Sequence, residues 1–163
     1  MEIKKEIIVN KPAAEVWSVL GDQFGEAYLW AQGLYHSKSL GAPKIEGAHC
    51  SDRVCDTSFG KIKEEIRVYD ADNYRLSYAV LEGFPSFVAS GVNNWSLTPM
   101  GEKTKVNIHL VIQTKGLKGS IMAPMMKLQM NGVLNKVGQD FKHYVETGNP
   151  SPEKAKEMTK RAA

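Results

Sequence analysis

The chain has 163 residues, 42% of them hydrophobic and 24% charged, with a formal net charge of +3. That length suits one domain with a sizeable core, and so small a charge excess argues against nucleic acid or an anionic membrane as partner. No apolar run is long enough to span a bilayer, and the opening MEIKKEIIVN lacks the apolar core of a secretory signal. Cys50 and Cys55 match no zinc spacing and point apart if they share a strand, so they read as reduced thiols of a cytoplasmic protein.

Ile3 to Asn10 alternates weakly and reads as a strand. Asn10-Lys-Pro12 opens a short helix to about Gly21, and Phe24 to Ala31 forms a second helical piece. A meander follows, with β-like runs at about 34–40, 47–55, 61–69, 74–82, 89–98 and 104–114. The turn signals between them are Gly41-Ala-Pro43, Thr57-Ser-Phe-Gly60, Asp70-Ala-Asp-Asn73, Gly83-Phe-Pro85 and Pro99-Met-Gly101. The last long run predicts a helix from Ser120, its N-cap, to Gly148, with Pro124 near the first turn. One apolar stripe of that helix is Met122, Met126, Met130, Val133, Val137, Phe141 and Tyr144. A second, Ile121, Met125, Leu128, Leu134 and Val145, widens it, leaving Lys127, Gln139, Asp140 and Lys142 opposite.

Alternation assigns the strand faces. Val106, Ile108, Leu110 and Ile112 share one side, as do Leu76, Tyr78 and Val80, and Asn93, Trp95 and Leu97. In the run from Lys61 the inward set is Ile62, Glu64, Ile66 and Val68, which lands Glu64 on an apolar face. Either that carboxylate is unpaired, desolvated and raised in pKa, or an inward cation such as Arg53 or Lys38 pairs with it. The histidines (His36, His49, His109, His143) form no set, Asp70-Ala-Asp-Asn is a turn rather than a calcium loop, and no metal or cofactor motif is present.

This layout resembles the START-like or SRPBCC superfamily. The stretches that carry the resemblance are EIIVNKPAAEVWSVL, GKIKEEIRVYDADNYRLSY, NNWSLTPMGEKTKVNIHL and APMMKLQM with DFKHYVETG, together spanning most of residues 1–149. It implies an α+β helix-grip fold, in which a curved seven-stranded antiparallel sheet wraps a long C-terminal helix and two short helices follow the first strand. It also implies a hydrophobic cavity in a domain over residues 1–149, with 150–163 left as a solvated polar tail. Glu64 falls where abscisic acid receptors of the superfamily carry an inward glutamate, but DTSFG and GFPSF are not those receptors' loop motifs. The bacterial polyketide cyclase/dehydrase-like members are the branch most similar in character.

A cavity of this kind is mostly apolar, with a few polar groups that orient the ligand. The expected lining is Trp30, Tyr78, Trp95, Met126, Met130 and Val133, with Glu64 and Asn93 as polar points. Each of these would equally serve as ordinary core packing. Phe59, Phe84 and Phe87 sit on two loops expected at the mouth, where they would form a lid, a partner contact or a plain anchor. The favoured function is a carrier or sensor of a small hydrophobic or amphipathic molecule, such as a lipid or an aromatic polyketide-like compound, without cofactor. The alternatives are a cyclase/dehydratase-like enzyme using Glu64 as acid/base, and a protein-interaction module of the chaperone-activator kind. Oligomeric state does not follow from the sequence.

Overall fold

In a computed structural model, which describes residues 1–162, seven strands form one antiparallel sheet ordered β1-β7-β6-β5-β4-β3-β2. They are β1 (Glu2–Val9), β2 (Leu34–Leu40), β3 (Asp52–Thr57), β4 (Gly60–Asp70), β5 (Arg75–Glu82), β6 (Val88–Met100) and β7 (Lys103–Thr114). Between β1 and β2 lie α1 (Ala13–Trp17), a π-helical turn (Ser18–Asp22) and a 3-10 helix (Phe24–Leu29). The first short helix therefore changes type rather than running on to Gly21. The run expected from residue 47 is also shortened, because the segment around Pro43 and Gly47 (φ 80°) is a loop and β3 starts at Asp52.

The sheet has one packed face. Val106, Ile108, Ile112, Leu76, Trp95 and Leu97 are all buried, as alternation requires. In β4 the pattern breaks: Val68, expected inward, is 40% exposed, and Tyr69 is buried instead. A register shift between Ile66 and Val68 against β5 accounts for this, since one extra residue moves every later side chain to the other face.

Helix α2 (Gly116–Thr147) is 32 residues long, about 48 Å at 1.5 Å per residue. It begins four residues before Ser120, with Lys115 at its N-cap and no side-chain cap. Pro124 thus lies in the helix interior, where its ring leaves the Ser120 carbonyl without its usual donor. Both residues are solvent-exposed, so water can take that carbonyl. Gly148 ends the helix in the left-handed conformation (φ 73°), its N–H donating to the Tyr144 carbonyl at 2.7 Å.

The two halves of α2 do different things. Toward the C-terminus Leu134, Phe141 and Val145 are buried, and Gly138 faces Ile7 and Ile108. Toward the N-terminus Leu117, Ile121, Met125 and Leu128 are exposed, so the second stripe holds only from Leu134 onward. The sheet covers the later turns alone.

The polar tail is a mostly exposed helix, α3 (Pro152–Ala162), with Ala163 outside the described residues. Its Lys154 is 1% exposed and donates to the Leu34 carbonyl at 2.8 Å and to Glu157 at 2.7 Å. Glu157 also accepts from the Gly33 N–H. Asp140, assigned from the sequence to the wet face of α2, is buried here. It accepts from the Gln32 backbone, the Gln32 side chain and the Ser151 hydroxyl, which in turn caps α3 at Lys154. Hydrogen bonds replace an apolar face in docking α3, which is why hydrophobic patterning did not reveal it. Among the described residues no helix is long and apolar enough to cross a membrane, and no three His, Cys, Asp or Glu side chains converge as metal ligands.

Candidate functional site

Between the sheet, the 3-10 segment and the N-terminal half of α2 lies a cavity of about 840 Å³. Its position follows from the packing of α2: the later turns sit on the sheet, and the earlier turns stand off it. Trp30 and Trp95 border it. Behind them Phe141, fully buried and outside the lining, is wedged between the two indoles, with ring centroids 5.1 and 5.4 Å away in edge-on geometry. Met126, Met130 and Val133 supply the helix wall; Tyr78, Asn93 and Glu64 supply polar points on the sheet. These residues, with Trp30 and Trp95, are the set singled out from the sequence, and all of them border the cavity.

Phe59, Phe84 and Phe87 also line it, but they are not equivalent. Phe59 is 56% exposed on the β3–β4 turn, whereas Phe84 and Phe87 are half-buried. Phe84 lies over Gly91, where a Cβ would overlap its ring, so glycine in β6 makes the room for this side chain. The Phe87 carbonyl accepts from the Lys115 N–H at 2.8 Å, which ties the loop after β5 to the start of α2.

The inner wall carries a compact polar group. Arg53 on β3 stands directly opposite Glu64 on β4, Glu64 opposite Val80 on β5, and Tyr78 opposite Asn93 on β6. Arg53 donates from Nε (2.9 Å) and Nη2 (2.5 Å) to Glu64 Oε2, and from Nη1 to the Phe24 carbonyl. Its guanidinium lies 4.0 Å from the centroid of Phe24 and 5.3 Å from that of Tyr78. The glutamate is therefore inward, as read from the sequence, but paired rather than free. Lys38, the other partner considered, is exposed.

Burial alone would lower the Arg53 guanidinium, but the Glu64 carboxylate more than offsets it and holds the group above its ordinary value. Burial pushes the Cys55 thiol up to about 12, with its Sγ 3.5 Å from Glu64 Oε2, so Cys55 stays protonated. Burial likewise pushes the Tyr78 phenol up to about 12, with the Glu64 carboxylate adding to the effect. The site holds an ion pair, a thiol and a phenol, and burial keeps the thiol and the phenol protonated near neutrality.

Sequence reasoning did not place Phe24, Gln129, Lys136 or Glu157 on the cavity, and it left the facing of Arg53 open. Arg53 had a readable signal: Thr57-Ser-Phe-Gly60 closes a two-residue hairpin that pairs Thr57 with Gly60 and therefore Arg53 with Glu64. Glu157 had none, since it reaches the cavity only through the docking of α3.

Solved structures share this architecture. A START superfamily protein from Mycobacterium smegmatis superposes with a TM-score of 0.73 at 17% identity, over 89% of this chain and 97% of that one. A conserved protein from Geobacillus kaustophilus gives 0.69 at 17% identity, over 89% and 95%. The di-domain ARO/CYC BexL of the BE-7585A biosynthetic pathway gives 0.69 at 12% identity, over 88% of this chain and 47% of that one. At such identities the likeness is one of fold. No curated protein matches the sequence. Residues 1–146, every strand and nearly all of α2, match the model of the family described as polyketide cyclase / dehydrase and lipid transport, and the chain belongs to that family.

Proposed function

We propose that the chain binds a small hydrophobic or amphipathic molecule in this cavity, as a carrier or sensor acting in the cytoplasm. The observation that carries the reading is the cavity itself: about 840 Å³ falls within the range of small-molecule sites, and its wall is mostly apolar. Met122, Met126 and Met130 on the helix wall favour adaptable contact over one rigid shape, because a thioether chain has several rotamers and a polarizable sulfur. Phe84 and Phe87, half-buried and tied to α2, suit a cover over the mouth. The family description, which includes lipid transport, agrees with this reading.

The acid/base alternative draws no comparable support. Both hydrogen bonds from Arg53 to Glu64 and the contact from Cys55 converge on Oε2, so that oxygen is already engaged by protein groups rather than presented to a ligand. The test is native mass spectrometry of the purified protein, followed by denaturing extraction and a titration with the neutral probe Nile red. A co-purifying apolar molecule, or probe binding weakened about tenfold or more by Met126→Trp, is the expected outcome. An apo protein that binds neither probe nor any of a panel of apolar compounds would overturn the reading.

A further inference from the structure

Two buried side-chain atoms of cavity-lining residues have no hydrogen-bond partner, and the hydroxyl of a neighbouring residue keeps a proton to give. Asn93 donates from Nδ2 to the Tyr78 hydroxyl at 2.9 Å, yet its Oδ1 is buried with no partner. Trp95, two residues along on the same face of β6 and 3% exposed, has its indole Nε1 buried with no partner. That N–H points toward the Tyr78 phenol, counteracting the rise in its pKa, but lies outside hydrogen-bonding geometry. The Tyr78 hydroxyl accepts from Asn93, and its own proton has no acceptor among the described residues. Leaving such groups unmet costs on the order of 1–3 kcal/mol each, so a ligand that meets them gains what water surrenders on entering an apolar space.

We infer that this corner seats a neutral hydroxyl group of the ligand, an alcohol or phenol, in preference to a carboxylate on the same skeleton. The inference rests on the cavity being a ligand site. A hydroxyl oxygen accepts twice and donates once. It can take the Tyr78 O–H and the Trp95 N–H and give its own proton to Asn93 Oδ1. A carboxylate can only accept, so it would face the Asn93 oxygen with a negative charge. The nearby cation offers no compensation, because Arg53 is already matched by Glu64 and spends its remaining contact on the Phe24 carbonyl. Lys136 also borders the cavity, but it is exposed, and its charge is solvated outside this corner.

Competition with Nile red near neutral pH tests this with three compounds of one chain length: 1-dodecanol, its methyl ether and dodecanoate. The alcohol is expected to bind about tenfold tighter than either acceptor-only compound, equal to about 1.4 kcal/mol. Asn93→Leu should bring the alcohol-to-ether ratio to within about twofold, and Trp95→Phe should narrow it while keeping an aromatic ring. Circular dichroism identifies any variant that fails to fold, and the three-compound ranking in the unaltered protein stands independently of the variants. Dodecanoate binding as tightly as the alcohol, or an alcohol preference that survives Asn93→Leu, overturns the assignment while leaving the cavity reading intact. Failure of both the probe and the alcohol to bind removes the cavity reading and this assignment together.

Discussion

The Arg53–Glu64 pair is buried on both sides, with side chains 6% and 8% exposed. Such a pair contributes little against an apolar substitute, but halving it strands a charge in a poor solvent. Arg53→Met alone should therefore cost about 3–5 kcal/mol in urea unfolding, and Arg53→Met with Glu64→Leu should recover most of that loss. Proton linkage sets a second expectation. The Cys55 thiol is raised from 9.0 to about 12, and the Tyr78 phenol from 10.0 to about 12. An acid whose folded pKa is raised stabilises the fold fully below its unfolded pKa, and that contribution is lost as pH climbs to the folded value. The thermal midpoint should thus fall between about pH 9 and 12, and Cys55→Ala should delay its onset to about pH 10, where the tyrosines take over. At this scale the sequence was partly legible. Glu64 stood out because charge on an apolar face is rare, and its partner was implicit in a two-residue turn. The buried Asp140 was not, because the groups that satisfy it come from Gln32 and Ser151, far away or beyond the helix end.

Among the elements, α2 is both core and wall. Its later turns are locked by Phe141 and Leu134, whereas its earlier turns flank a void and carry Pro124 without a full hydrogen-bond ladder. Hydrogen exchange should be faster over 117–128 than over 134–145, and a bound ligand should slow the earlier turns most. In β6, Gly91→Ala should displace Phe84 from its place over the strand, read as a change in Nile red affinity at little change in sheet content. The succession of strands along the chain and the inward faces of β5, β6 and β7 followed from alternation and turn residues. The start of α2 did not, because Ser120 and Pro124 are good terminus residues that here sit inside an exposed helix. The outward flip at Val68 escaped because a bulge adds a residue without any compositional mark.

At the scale of the molecule, α3 ties the end of α2 to the start of β2 through Asp140, Ser151, Lys154 and Glu157. Truncation after Gly148 should lower the thermal midpoint markedly, since it leaves Asp140 buried beside an unfilled groove. A loss confined to within about a degree would show that α3 is not part of the folding unit. The division of α2 into a packed half and a cavity half also bears on descent. Side chains that border the void outside the core cluster, such as Met122 and Met126, can be exchanged without collapsing the fold, whereas Phe141 and Leu134 cannot. On the proposed reading, substitutions on one half of this helix change which ligand is held while the other half keeps the architecture, so a new preference needs no new fold.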